Sequence, residues 1–240
     1  MKLTVLIFAS GCLYATGVQQ YPYDFTTSLT SNYLSTTQNI MPAVTFPPPA
    51  VSPTLGSIGD SGFRVTFSTL MNLDEFCPLS EPESSCPTGW WTWNHYPYSE
   101  YTAASQDGTP FPVLETREAS MTMTLSRPVT IFGFEVEPVD YQVFQVSASF
   151  YDPAGQLLIT ISQNLNGYAG SALYAVTADA GIGSVLVTTD DISDPTGNGL
   201  KGGFGIAAIR TDVPEPATIL LVGALVALKT LFRRQRVPLQ

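Results

Sequence analysis

The chain has 240 residues, enough for one domain with its own core once terminal targeting segments are set aside. Twenty acidic against ten basic side chains give a formal charge of −10, which disfavours nucleic acid and anionic lipid as partners. One histidine and three cysteines leave little material for a histidine triad or a zinc site.

The first element is Lys2 followed by the apolar run Leu3 to Tyr14, the pattern of a secretory signal peptide over residues 1–17. Ala15-Thr16-Gly17 offers small residues at both cleavage positions, so maturation is expected after Gly17. A rival reading takes Ala9-Ser10-Gly11-Cys12 as a lipobox that acylates Cys12. Residues 18–58 follow, dominated by Thr, Ser, Pro, Gln and Asn, with Asp24 as the one charge and Pro47-Pro48-Pro49 near the end. This composition predicts a partly extended leader or a first irregular strand layer. Tyr21, Tyr23, Phe25, Tyr33 and Phe46 are available to dock it on the domain.

Residues 59–212 carry a β pattern. Arg64 to Leu70 and Met121 to Leu125 alternate apolar with polar, and apolar-rich segments follow at 129–136, 142–151, 156–162, 172–177, 184–189 and 203–209. Turn signals separate them at Arg127-Pro128, Glu137-Pro138, Asp152-Pro153-Ala154-Gly155, Asn166-Gly167, Gly181, Asp194-Pro195 and Gly197-Asn198-Gly199. The expected class is all-β, an antiparallel jelly-roll-like β-sandwich, with Asp152 to Gly155 as the clearest hairpin turn. The twenty carboxylates lie between Asp24 and Glu215, against Arg64, Arg117, Arg127, Lys201 and Arg210 in the same stretch. Such an acidic exported domain suits solubility in a crowded matrix.

Three places inside the domain carry candidate chemistry. In an exported chain Cys77 and Cys86, flanking a Pro/Ser/Glu-rich loop, read as one local disulfide. The stretch Trp90-Trp91-Thr92-Trp93-Asn94-His95-Tyr96-Pro97-Tyr98 holds all three tryptophans. Its flat rings suit stacking on sugars, and Trp90, Trp91, Trp93, His95 and Tyr96 form the candidate ligand platform. Packing over a loop or into the core is the plainer use of the same side chains. Asp190, Asp191, Asp194 and Asn198 gather oxygen ligands in a turn-rich loop, enough for a structural calcium, although the same residues also make ordinary turns. No other cofactor is expected.

Catalytic motifs are missing. His95 is the single histidine, and neither GxSxG nor HExxH occurs. Gly197-Asn198-Gly199-Leu200-Lys201 lacks phosphate-loop spacing. A glycoside-hydrolysing carboxylate pair is the one arrangement that twenty acids leave open.

The last element is the tail, residues 213–240. Pro214-Glu215-Pro216 precedes an apolar stretch at 217–232, and Arg233, Arg234 and Arg236 close it. As a helix the stretch spans about 24 Å, slightly short of the ~30 Å hydrocarbon core. A buried helix of a soluble domain is the alternative, but arginines directly behind it favour a membrane stop with the domain outside. The three parts in this order resemble the PEP-CTERM sorting signal of Gram-negative bacteria. The resemblance implies recognition by an exosortase-type processing enzyme, a membrane-anchored intermediate, and delivery to a cell surface or matrix linked to exopolysaccharide. The stretch from Ile131 to Pro138 and from Gly203 to Ala207 also resembles, more loosely, exported domains that precede this signal. The expected role is structural or adhesive and non-enzymatic. The alternatives are a carbohydrate-binding module and a glycoside hydrolase.

Overall fold

Alternation gives each strand one apolar face, and the fold is the way these faces are brought against each other. The computed structural model describes residues 17–21, 28–42, 53–76, 89–90, 112–167, 171–192 and 202–212. Among them are eleven strands and one helix: β1 (Val18–Gln20), α1 (Ser28–Thr36), β2 (Thr37–Asn39), β3 (Thr54–Gly59), β4 (Arg64–Phe76) and β5 (Gly89–Trp90). They continue with β6 (Pro112–Thr116), β7 (Ser120–Pro138), β8 (Val143–Tyr151), β9 (Leu157–Asn166), β10 (Ala172–Thr189) and β11 (Phe204–Asp212). The strand order is β2-β11-β6-β4-β7-β10-β8-β9, and all pairings are antiparallel except β4 with β5.

Three strands, β4, β7 and β10, are long because each changes partners along its length. The first half of β7 pairs β4 at Met123–Leu125, and its second half pairs β11. β10 follows β7 through both halves, with register shifts between Thr177, Ile182 and Ser184. The inward set changes parity at these bends: Met121, Met123, Leu125 and Val129 precede Phe132, Phe134 and Val136. Both halves face one buried core, with Val146, Ala148 and Phe150 of β8 and Phe204 and Ile206 of β11. The result is an all-β, mostly antiparallel sheet structure around a main buried core, as the alternation predicted.

Two of the predicted turns are instead bends inside continuous strands. Arg127-Pro128 lies within β7, where proline is tolerated because the strand changes partners there. Gly181, at φ +80°, is a bulge within β10. The hairpin at 152–155 is present: Asp152 Oδ1 accepts from the Ala154 and Gln156 amides at 2.8 Å, and Gly155 takes φ +79°.

The polar leader joins the sheet. β1 pairs β10, β2 pairs β11, and β3 pairs β4, so of the two readings of 18–58 the irregular strand layer is observed. Tyr21 and Tyr33 dock as a ring pair 5.1 Å apart, forming a second small core with Leu173 and Ala175. α1 is absent from the sequence reading, since SLTSNYLST has little helical propensity. Contacts hold it. Tyr33 crosses β7 at Gly133, where an added Cβ would lie 2.5 Å from the phenol oxygen and from the Ala175 Cβ.

Candidate functional site

The stretch between the end of β4 and the start of β6 carries the tryptophans. Glu75 pairs Pro112 across β4–β6, so the end of β4 and the start of β6 lie side by side. The backbone of Gly89-Trp90 lies parallel to Glu75-Phe76 there, which ties Trp90 to the same corner. Trp91, Trp93, His95 and Tyr96 lie outside the described residues, as do Cys77 and Cys86.

Two residues from that corner the sheet brings carboxyls together. Asn72 opposes Glu115 and Asp74 opposes Val113, so Asp74 and Glu115 are diagonal neighbours on one face. Gly205 of β11 lies between Glu115 and Glu137 of β7 in register, and Asp74 and Glu137 are buried. The Glu115 side chain is 12% exposed and pairs with the Arg117 guanidinium. Burial, and then the hydrogen bond with Asp74, push the Glu115 carboxyl up from 4.5 to about 7, while Arg117 opposes the rise. Glu115 therefore takes up its proton near neutrality. Sequence gave no sign of it, because the two acids are far apart along the chain and meet only through strand pairing.

The sign of the pH effect follows from the raised value. The folded chain binds this proton more tightly than the unfolded chain, so stability from Glu115 is greatest below 4.5 and is lost as pH rises through about 7. Chemical denaturation at pH 5 and pH 8 should give a higher midpoint at pH 5. Glu115→Gln should flatten that difference by keeping a neutral side chain throughout. An unchanged pH slope in the variant would assign the effect elsewhere.

The two described members of the expected calcium loop serve different partners. Asp190 Oδ1 accepts from the Gln145 amide at 2.6 Å on β8. Asp191 is fully buried; its Oδ2 accepts from the Asp140 amide at 3.2 Å, and its carboxylate occupies the space a Cβ on Gly202 would need. They tie the ends of β10, β8 and β7 together by bonding backbone amides. Asp194 and Asn198 lie outside the described residues. Among the described residues no three His, Cys, Asp or Glu side chains converge as a metal site would require.

No protein-family profile matches the sequence, and no curated protein does. Solved structures give only distant likenesses. One is the enzymatically active domain of tailspike protein 4 from bacteriophage CBA120, at TM-score 0.28 and 14% identity, covering 64% of this chain and 20% of that one. A second is the CBM51-2 module in complex with GlcNAc, with INT domains, from Clostridium perfringens ZmpB, at TM-score 0.34 and 10% identity, covering 74% and 40%. A third is a DUF4465 family protein from Bacteroides caccae, at TM-score 0.33 and 9% identity, covering 82% and 100%. The chain thus spans a fifth of the tailspike fragment and two fifths of the ZmpB fragment. Similarity at this level assigns no role to any residue.

The expected sorting motif Pro214, Glu215 and Pro216, the apolar stretch behind it, and Arg233, Arg234 and Arg236 lie outside the described residues, as does the segment before Gly17. Among the described residues no helix is long and apolar enough to cross a membrane.

Proposed function

We propose that this chain is an exported cell-surface or matrix protein, sorted through its C-terminal PEP-CTERM-like signal, with a non-enzymatic structural or adhesive role beside exopolysaccharide. The observation that carries the proposal is the order Pro214-Glu215-Pro216, apolar stretch, arginine cluster. The fold is compatible with processing at both ends. β1 begins at Val18, directly after the expected signal cleavage, and β11 ends at Asp212, two residues before Pro214. Cuts at these places leave every described strand pairing intact. The long shared strands β7 and β10 fit a jelly-roll-like sandwich. A Cys77–Cys86 bridge would staple the chain directly after β4, in the compartment where such bonds persist.

Intact-mass measurement of the protein recovered from the native cell surface tests this reading. The expected chain starts at Val18 and ends near Pro216. Replacing Pro214-Glu215-Pro216 by alanines should leave the apolar tail attached and the protein in the membrane fraction. A tail left uncut in the unaltered protein would remove the sorting account, and a diacylated Cys12 would replace the first cleavage.

A carbohydrate-binding role is the second reading, favoured by the anchoring of Trp90 beside the end of β4. Polysaccharide pull-down that is lost in Trp91→Ala and Trp93→Ala, with the melting temperature unchanged, would establish it.

A further inference from the structure

A sheet edge presents backbone N–H and C=O groups with no partner in their own sheet. Folded proteins protect such edges with short strands, bulges, prolines or charges. The described strands away from the middle of the sheet differ in this respect. β1 and β2 have three residues each and β5 has two. β3 carries a register shift between Leu55 and Ser57 and ends at Gly59 with φ +102°. β9 has only one of these, a register shift between Leu157 and Ile159 at its very start. It is ten residues long, lies last in the strand order, and contains neither proline nor charge. Its register against β8 runs unbroken from Ile159 to Asn166, and β8 is its one strand partner among the described residues. The charge-free stretch extends from Pro153 to Ala178 in a chain of net charge −10.

We propose that β9 is a homotypic edge, at which two copies of this chain pair antiparallel about a dyad near Ile161 and join two sheets into one. A second copy is the occupant that the charge distribution favours. Two strongly acidic domains repel unless their contact opposes no carboxylates, and pairing β9 with β9 opposes none. The side chains also match under the dyad. Thr160 of one copy faces Ser162 of the other on the outer side, and Ile161 faces its own counterpart on the inner side. Thr160 and Ser162 already meet Ser149 and Ser147 at 2.8 Å across β8–β9, so a row of hydroxyls continues through the join. A dyad consumes the edge on both copies, so the assembly closes as a dimer. This inference is independent of the sorting account.

Sedimentation velocity of the full chain, kept dispersed in dilute detergent, tests it over a wide concentration range. The expected result is a monomer–dimer equilibrium that is lost in the double variant Thr160→Lys, Ser162→Lys, whose lysines face each other across the dyad. Hydrogen exchange of the unaltered chain adds a readout that needs no variant: amides of 159–166 should exchange more slowly in the dimer than in the monomer. A chain monomeric at every concentration overturns the proposal, as does a dimer that survives both lysines. Protection of β9 that arises only on adding another protein or a polysaccharide overturns it too, by assigning the edge to a different partner.

Discussion

Replacing Phe134 with alanine is expected to lower unfolding free energy by about 3–5 kcal/mol, the range for deleting a buried aromatic ring. Phe134 is fully buried on β7 where three other rings meet it. Tyr174 lies 6.1 Å away at an interplanar angle of 9°, Phe150 at 6.2 Å and 27°, and Phe132 at 6.0 Å and 55°. These contacts join β7 to β8 and β10, so the cavity would open inside the main core and not at its rim. The Tyr174 hydroxyl donates to the Val146 carbonyl at 3.0 Å, which holds that ring in place and restricts collapse into the gap. Since domains of ordinary stability have only about 5–15 kcal/mol in total, this one change removes a large share. Urea denaturation measures it, with Leu70→Ala as the control, because Leu70 is 65% exposed and its loss should fall within about 0.5 kcal/mol. A Phe134→Ala change of similar size to the control would mean the ring cluster is not a stabilising centre.

Arg210→Ala should release the N-terminal helix at a loss of about 3 kcal/mol, several charge-assisted hydrogen bonds being removed together. Arg210 Nε donates to Thr37 Oγ1 at 2.9 Å, and Nη2 donates to the Leu34 and Thr37 carbonyls at 3.0 and 2.8 Å. Those carbonyls belong to the last turn of α1 and the start of β2, where helix carbonyls have no partner of their own. β2 adds only three paired residues, Thr37 to Asn39, so the guanidinium is a principal tie between this segment and β11. Its loss also removes the positive charge facing the buried Tyr33 phenol, whose titration burial already pushes far upward. Hydrogen exchange should show faster exchange across 28–39, with 172–176 and 132–136 nearly unchanged. Arg210→Lys should recover little, because a single ammonium cannot reach three acceptors as the planar fork does. Unchanged exchange at 28–39 in the alanine variant would sink this account.

Legibility in the sequence followed the range of the forces involved. Alternation at Met121-Thr122-Met123-Thr124-Leu125 marked a strand because one face of a sheet is buried, and the structure buries Met121, Met123 and Leu125. Asp152-Pro153-Ala154-Gly155 marked a hairpin because its bonds are formed within five residues. Proline and glycine were less reliable. Arg127-Pro128 and Gly181 carry turn residues, yet neighbouring strands keep the chain extended on both sides of them. α1 was hidden for a related reason: its stability comes from Arg210, Gly133 and Tyr21 rather than from its own composition.

The candidate sites divide in the same way. Among the Asp190 to Asn198 acids, Asp191 was legible as an oxygen donor, but only the packing turned it inward against Gly202 and the Asp140 amide. The Asp74–Glu115 contact, which raises the Glu115 carboxyl to about 7, was invisible until β4 and β6 were laid side by side.

By itself the sequence determined the acidic balance and the all-β class, since each is encoded in composition or in contiguous residues. Only the tertiary structure decided which strands change partners along their length, which acids meet, and which strand lies last in the described order. Those outcomes depend on register, and register is chosen by all the strands together.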